Sequence, residues 1–163
     1  MSQSSPLDAA DQAGGEGQRR LHVVFRVGDA EYVIPGDEVL QMETFTGATP
    51  VPDAAAHVAG LMQIRGRVIP ILDLRIRFGL PAAHDGALER RVVVVQRGRR
   101  AIGLLVDSAR EVVYLDASAM QPLGAALGAA GRGCVRGVLP VGSRLLMVID
   151  LDPIVGQESA HGE

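Results

Sequence analysis

Gly60-Leu61-Met62-Gln63-Ile64-Arg65-Gly66-Arg67-Val68-Ile69-Pro70-Ile71-Leu72-Asp73-Leu74 is the stretch that decides the fold. A tight Arg65-Gly66-Arg67 turn between two short apolar runs predicts two strands folded back on each other, Val68 to Leu74 being the second. Arg75 to Leu80 reads as a helical turn stopped by Gly79 and Pro81. Further along, Gly137 … Leu146-Met147-Val148-Ile149-Asp150-Leu151 repeats Gly60 … Ile69-Pro70-Ile71-Leu72-Asp73-Leu74. A repeated supersecondary unit is the signature of a duplicated architecture.

Working outward, Leu21 to Val27 runs through Gly28-Asp29 into Glu31-Tyr32-Val33-Ile34, a hairpin ended by Pro35-Gly36. It matches Val92-Val93-Val94-Val95, turning at Gly98 and returning through Ala101 to Val106. Asp37 to Met42 reads as one helical turn or the start of a strand. Ala54 to Ala59 is a short helical candidate with Asp53 as N-cap. Ala82 to Leu88 is a polar loop, Glu111 to Leu115 a further strand, and Gly124 to Gly133 a Gly/Ala-rich loop. Two units of roughly 60–70 residues, each with about five short strands, suggest two small barrels or strongly twisted sheets with a groove between them. Periodicity alone leaves one larger sandwich open.

The 163 residues are 47% hydrophobic but only 3% aromatic, so the core is aliphatic. All 16 basic residues are Arg, which removes Schiff-base chemistry, lysine-dependent phosphate loops and lysine general bases. A net charge of −3 favours neither nucleic acid nor an anionic membrane. No run approaches the roughly 18 apolar residues of a membrane helix, and the N-terminus lacks the charge and apolar pattern of an export signal, so a cytosolic protein is expected. Residues 1–20 and 156–163 read as disordered tails.

Chemistry is scarce. The sequence carries no nucleophile elbow, zinc-protease or paired-cysteine motif and no glycine-rich phosphate loop. His22, His57, His84 and His161 lie in different kinds of segment, and Cys134 reads as a small buried hydrophobe. No catalytic residue, cofactor or metal site is therefore assigned. Asp73 and Asp150 hold equivalent places in the repeat; they read as caps of the turns that follow their strands rather than as an acid–base pair. Arg90, Arg91, Arg97, Arg99 and Arg100 read as a solvated strand edge, with no interleaved aromatics for base stacking. Arg65, at a hairpin tip with few local acceptors, either holds a neighbouring loop or meets a partner.

Val39-Leu40-Gln41-Met42, Thr49-Pro50-Val51-Pro52-Asp53-Ala54 and Gly60 to Arg75 resemble the CheW family, adaptors of bacterial chemosensory arrays. The likeness continues through Gly103-Leu104-Leu105-Val106-Asp107 and Val112 to Leu145–Leu151, spanning about residues 20 to 155. It implies an all-β fold of two SH3-like five-stranded β-barrel subdomains with short helices between strands. One CheW-like domain would occupy 21–155, its first barrel mainly 36–90 and its second mainly 91–155, with room for strand exchange. The implied role is non-catalytic: a scaffold linking the cytoplasmic tip of a methyl-accepting chemoreceptor to the regulatory domain of a CheA-type histidine kinase. Other CheW-like proteins are a further implied class of partner, and the expected place is the cytoplasm, at membrane-associated or cytosolic receptor arrays. The alternative is a variant of a surface-motility pathway that binds receptor and couples weakly to kinase. Carried over by position, the receptor-facing groove comprises Val39, Gln41, Met42 and Arg65, with Val112 from the second barrel. The family often has Glu where this chain has Gln41, which implies no Arg65–carboxylate pair at position 41 and leaves a neutral hydrogen bond open.

Overall fold

The computed structural model describes residues 18–83, 90–124 and 133–155. The expected tails fall almost wholly outside these residues, as do most of the loops predicted at 82–88 and 124–133, and His84 and His161.

Among the described residues, ten strands form two five-stranded sheets. In chain order they are β1 (Arg19–Val27), β2 (Ala30–Pro35), β3 (Val39–Thr44), β4 (Val58–Ile64), β5 (Arg67–Asp73), β6 (Arg91–Arg97), β7 (Arg100–Val106), β8 (Ser108–Asp116), β9 (Val135–Val141) and β10 (Arg144–Ile149). One sheet runs β8-β1-β2-β10-β9, the other β3-β6-β7-β5-β4. The sequence repeat is visible in this order: replacing each of β1–β5 by its counterpart in β6–β10, and the reverse, converts one sheet into the other. Neither sheet coincides with one half of the chain. The hairpin β1–β2 joins the three strands after residue 107, and β6–β7 joins β3–β5, so the two repeats exchange hairpins. The exchanged hairpins are held by short parallel pairings, β2 with β10 and β5 with β7.

Strand patterns explain the core. Val93 and Val95 face a shared core with Val23, Phe25, Val27, Ile34, Ile102 and Leu104, whereas Val92 and Val94 face a separate cluster with Ile64, Ile69, Ile71 and Leu105. The uninterrupted Val92–Val95 run is therefore apolar because both faces of β6 are buried. Val24, Val33, Leu115, Leu139, Leu146 and Val148 fill the corresponding interior of the other sheet. Each sheet thus curls around its own aliphatic filling and turns its other face to the shared core, where the Phe25, Tyr32 and Phe78 rings meet.

One bridge closes each curl. Thr49 and Leu61 exchange two 2.8 Å backbone bonds, joining the chain after β3 to β4, and Gln121 and Val138 do the same between the chain after β8 and β9. Gly60 makes the first closure sterically feasible: it sits at φ 140°, and a Cβ there would lie 2.2 Å from the Thr49 carbonyl oxygen. At Gly137 a Cβ would lie 2.6 Å from the Gln121 oxygen.

The capping aspartates behave as the sequence predicts. Asp73 accepts the Arg75 amide (2.9 Å) at the head of helix α1 (Leu74–Arg77), and Asp150 accepts that of Asp152 (3.1 Å) at the head of α2 (residues 151–155). Gly79 at φ 83° ends α1, with the Gly79 amide on Ile76 and the Leu80 amide on Arg75, a Schellman stop. Asp37 to Met42 divides into a 3-10 turn, Gly36–Glu38, followed by β3. The helix expected at Ala54–Ala59 does not form. Only turns precede β4, and Asp53, at φ 61°, lacks the extended backbone of an N-cap. Without the cap that Asp73 supplies to α1, the few residues before β4 do not nucleate a helix.

Candidate functional site

β3 is an outer strand and carries three of the five residues expected to meet a partner. Val39 pairs with Val95 and Met42 with Val93, although three residues apart on a regular strand means opposite faces. A β-bulge at Leu40 absorbs the extra residue and brings Val39 and Met42 onto the shared-core face. Gln41 and Glu43 pair with Val94 and Val92 on the opposite face, so Gln41 does not stand with Val39 and Met42. β8 has the counterpart bulge at Arg110, which places Ala109 and Val112 opposite Phe25 and Val23.

Arg65 is the first residue of the two-residue β4–β5 turn. With φ 51° at Arg65 and 83° at Gly66 the turn has the primed geometry that matches strand twist. A non-glycine residue there costs on the order of 1 kcal/mol. Its side chain is 76% exposed, and its Nε lies 3.7 Å from a Glu43 carboxylate oxygen. The Gln41 amide donates to that same Glu43 oxygen. Gln41, Glu43 and Arg65 thus form one polar cluster, and the carboxylate facing Arg65 comes from position 43. Sequence reasoning missed Glu43; the strand alternation linking 41 and 43 was the available signal.

The second sheet carries a counterpart of different chemistry. Arg67 and Arg144 stand six residues before their capping aspartates. Arg144 donates twice to Glu31 (3.1 and 3.0 Å) and twice to Glu111 (3.1 and 2.8 Å), and these bonds hold the Glu111 carboxyl below its ordinary pKa against the opposing effect of burial. In the first sheet Ala101 and Gln41 occupy the places of Glu31 and Glu111, so Arg67 has no such clamp among the described residues. At one barrel end the guanidinium is bonded to two carboxylates, while at the other Arg65 is exposed beside one.

Val112 lies in the other sheet and is not part of the Arg65 cluster. It is 48% exposed, on the same face of β8 as exposed Tyr114, whose cross-strand neighbour is exposed Leu21. β8 approaches the first sheet at β6, the strand that pairs with β3. Two further exposed aliphatics, Val68 (65%) and Leu145 (64%), are equivalent in the repeat, each one residue into its strand after a hairpin tip.

The remaining candidates have structural roles. Arg90 is largely buried, bonds Asp73 at 3.3 Å and lies over the Phe45 ring; Arg97 bonds Asp152 and lies 3.8 Å from Glu38. The expected solvated arginine edge is thus partly consumed by ion pairs. Cys134 is fully buried, which pushes its thiol pKa up, and buried His22 donates through Nδ1 to the Arg20 carbonyl. Pro35, Glu38, Arg97, Arg136 and Asp150 line a polar cleft of about 310 Å³, and burial is the main cause raising the Glu38 pKa. Among the described residues no group of three His, Cys, Asp or Glu side chains could hold a metal ion, and no helix is long and apolar enough to cross a membrane.

The fold is a duplicated, hairpin-exchanged pair of small β-barrels, and comparison with known proteins gives its family. The CheW-like domain model matches residues 21–159. The chain is 34% identical over 142 residues to the chemotaxis protein CheW of Rhizobium meliloti (strain 1021), covering 87% of this chain and 90% of that one. It is 30% identical over 146 residues to the probable chemotaxis protein CheW of Rhizobium etli, covering 90% and 93%. The crystal structure of the scaffolding protein TtCheW from Thermoanaerobacter tengcongensis superposes with a TM-score of 0.71 at 24% identity, over 82% of this chain and 90% of that one. The chain belongs to the CheW family.

Proposed function

We propose that this protein is a non-catalytic cytoplasmic adaptor that joins the cytoplasmic tip of a methyl-accepting chemoreceptor to the regulatory domain of a CheA-type histidine kinase. One observation carries the reading: exposed apolar surface on the outer strands β3 and β8 (Leu40, Val112 and the Tyr114 ring) lies in the same molecule as an arginine whose donors are largely unspent. An amphipathic receptor helix fits such a surface, its apolar stripe on the aliphatic knobs and a carboxylate on Arg65. Each aliphatic side chain buried contributes roughly 1–2 kcal/mol, so several give a micromolar-class contact that an array strengthens by multivalency. Val68 and Leu145, repeated on the two barrel ends, are the knobs for barrel-to-barrel contact with the kinase regulatory domain or with another CheW-like protein.

The test is co-purification with a receptor cytoplasmic fragment and, separately, with the kinase regulatory domain. Arg65→Glu and Val112→Asp are expected to abolish receptor capture while leaving the circular dichroism spectrum and kinase capture unchanged. Receptor capture that survives both substitutions contradicts the reading. Receptor capture with no kinase capture by the unaltered chain selects the surface-motility variant instead.

A further inference from the structure

We propose that Glu43 is the residue that positions Arg65 for its partner, a task that falls to position 43 because position 41 is the neutral Gln41. This rests on the reading of Arg65 as a receptor contact. Glu43 is only 31% exposed and shares a strand face with Gln41, whose amide donates to the Glu43 carboxylate and fixes it. That carboxylate approaches Arg65 through Nε. The two Nη groups have no hydrogen-bond partner among the described residues. With Glu43 beside its Nε, the guanidinium keeps both Nη groups for a partner, and two parallel bonds to a carboxylate suit that pair.

The second barrel shows the contrast. There Arg144 meets two carboxylates and spends four of its five donors on them. The counterpart of Arg144 in the repeat is Arg67, with Ala101 and Gln41 in the places of Glu31 and Glu111, and the neighbouring Arg65 has the single carboxylate of Glu43 beside it at 3.7 Å. The partner group is accordingly a carboxylate. Holding the long side chain in advance reduces the conformational entropy lost on binding.

The experiment titrates the full-length chain with a cytoplasmic signalling fragment of a chemoreceptor from the same organism, and records the ¹H–¹⁵N cross-peak of Arg65 Nε–H in the free protein. Glu43→Gln is expected to shift that cross-peak, weaken binding about five-fold and leave the melting temperature unchanged. The double variant Gln41→Glu/Glu43→Gln returns a carboxylate to the neighbouring position and is expected to restore affinity to within about two-fold. Undiminished affinity in Glu43→Gln overturns the proposal, as does a double variant no better than the single one. If Arg65→Glu itself leaves binding intact, the reading of Arg65 fails, and the proposal falls with it.

Discussion

Arg77 stands four residues after Asp73, as Ile154 stands four after Asp150, and both side chains turn inward. Ile154 is fully buried in the shared core; Arg77 is 7% exposed, its Nε has no hydrogen-bond partner, and it makes no ion pair among the described residues. A buried N–H donor left without an acceptor costs about 1–3 kcal/mol. Arg77→Met is therefore expected to stabilise the fold by about 1 kcal/mol or more, read as a higher urea midpoint at unchanged slope. A lower midpoint would show that the guanidinium has a compensating partner. Glu111 has the opposite sign of interest. Because its folded pKa is lowered by Arg144, its contribution is present above the ordinary carboxylate range and is lost as pH falls through the folded value. Glu111→Gln should be less stable than the parent at pH 7, with a deficit that shrinks at pH 3, by urea unfolding. An equal deficit at both pH values contradicts the assignment. At this scale the sequence was partly legible: Arg65 announced itself by its hairpin tip, and the aspartates by their place before a turn. Glu43 did not, because its pairing with Arg65 depends on curling an outer strand toward a distant turn.

Among elements, the hairpins were readable because a glycine must supply the positive φ at each tip: Gly28, Gly66, Gly98 and Gly142 all do so. The bulges at Leu40 and Arg110 were not, since nothing local distinguishes an inserted residue from a paired one, and they decide which side chains share a face. Hence Val39 and Met42 stand together and Gln41 apart. Barrel closure depends on Gly60, which the sequence repeat matches with Gly137. Gly60→Ala is expected to cost about 3 kcal/mol or more, because the new methyl cannot coexist with the Thr49–Leu61 bridge and the backbone conformation resists a side chain. Gly137→Ala, without the φ penalty, should cost less. Hydrogen exchange would show the Leu61 and Thr49 amides losing protection first in Gly60→Ala; retained protection and an unchanged melting temperature would contradict the closure.

For the whole molecule, duplication was legible in the residues, whereas strand exchange entered only as something the family resemblance left room for. Similar strands in both halves allow either a self-contained or a swapped pairing, and only the parallel contacts of β2 with β10 and β5 with β7 decide between them. The consequence is that neither barrel is made from one half of the chain, so both present their outer faces to one rigid core. A body of that kind suits an adaptor, which must hold two partners at a fixed separation. Sedimentation velocity of the chain mixed with a receptor cytoplasmic fragment and a kinase regulatory domain tests this most directly. The account predicts a species containing all three, losing the receptor fragment in Arg65→Glu and the kinase domain when Val68 and Leu145 are both changed to Asp. A chain that binds its two partners only one at a time, or binds neither, would contradict it.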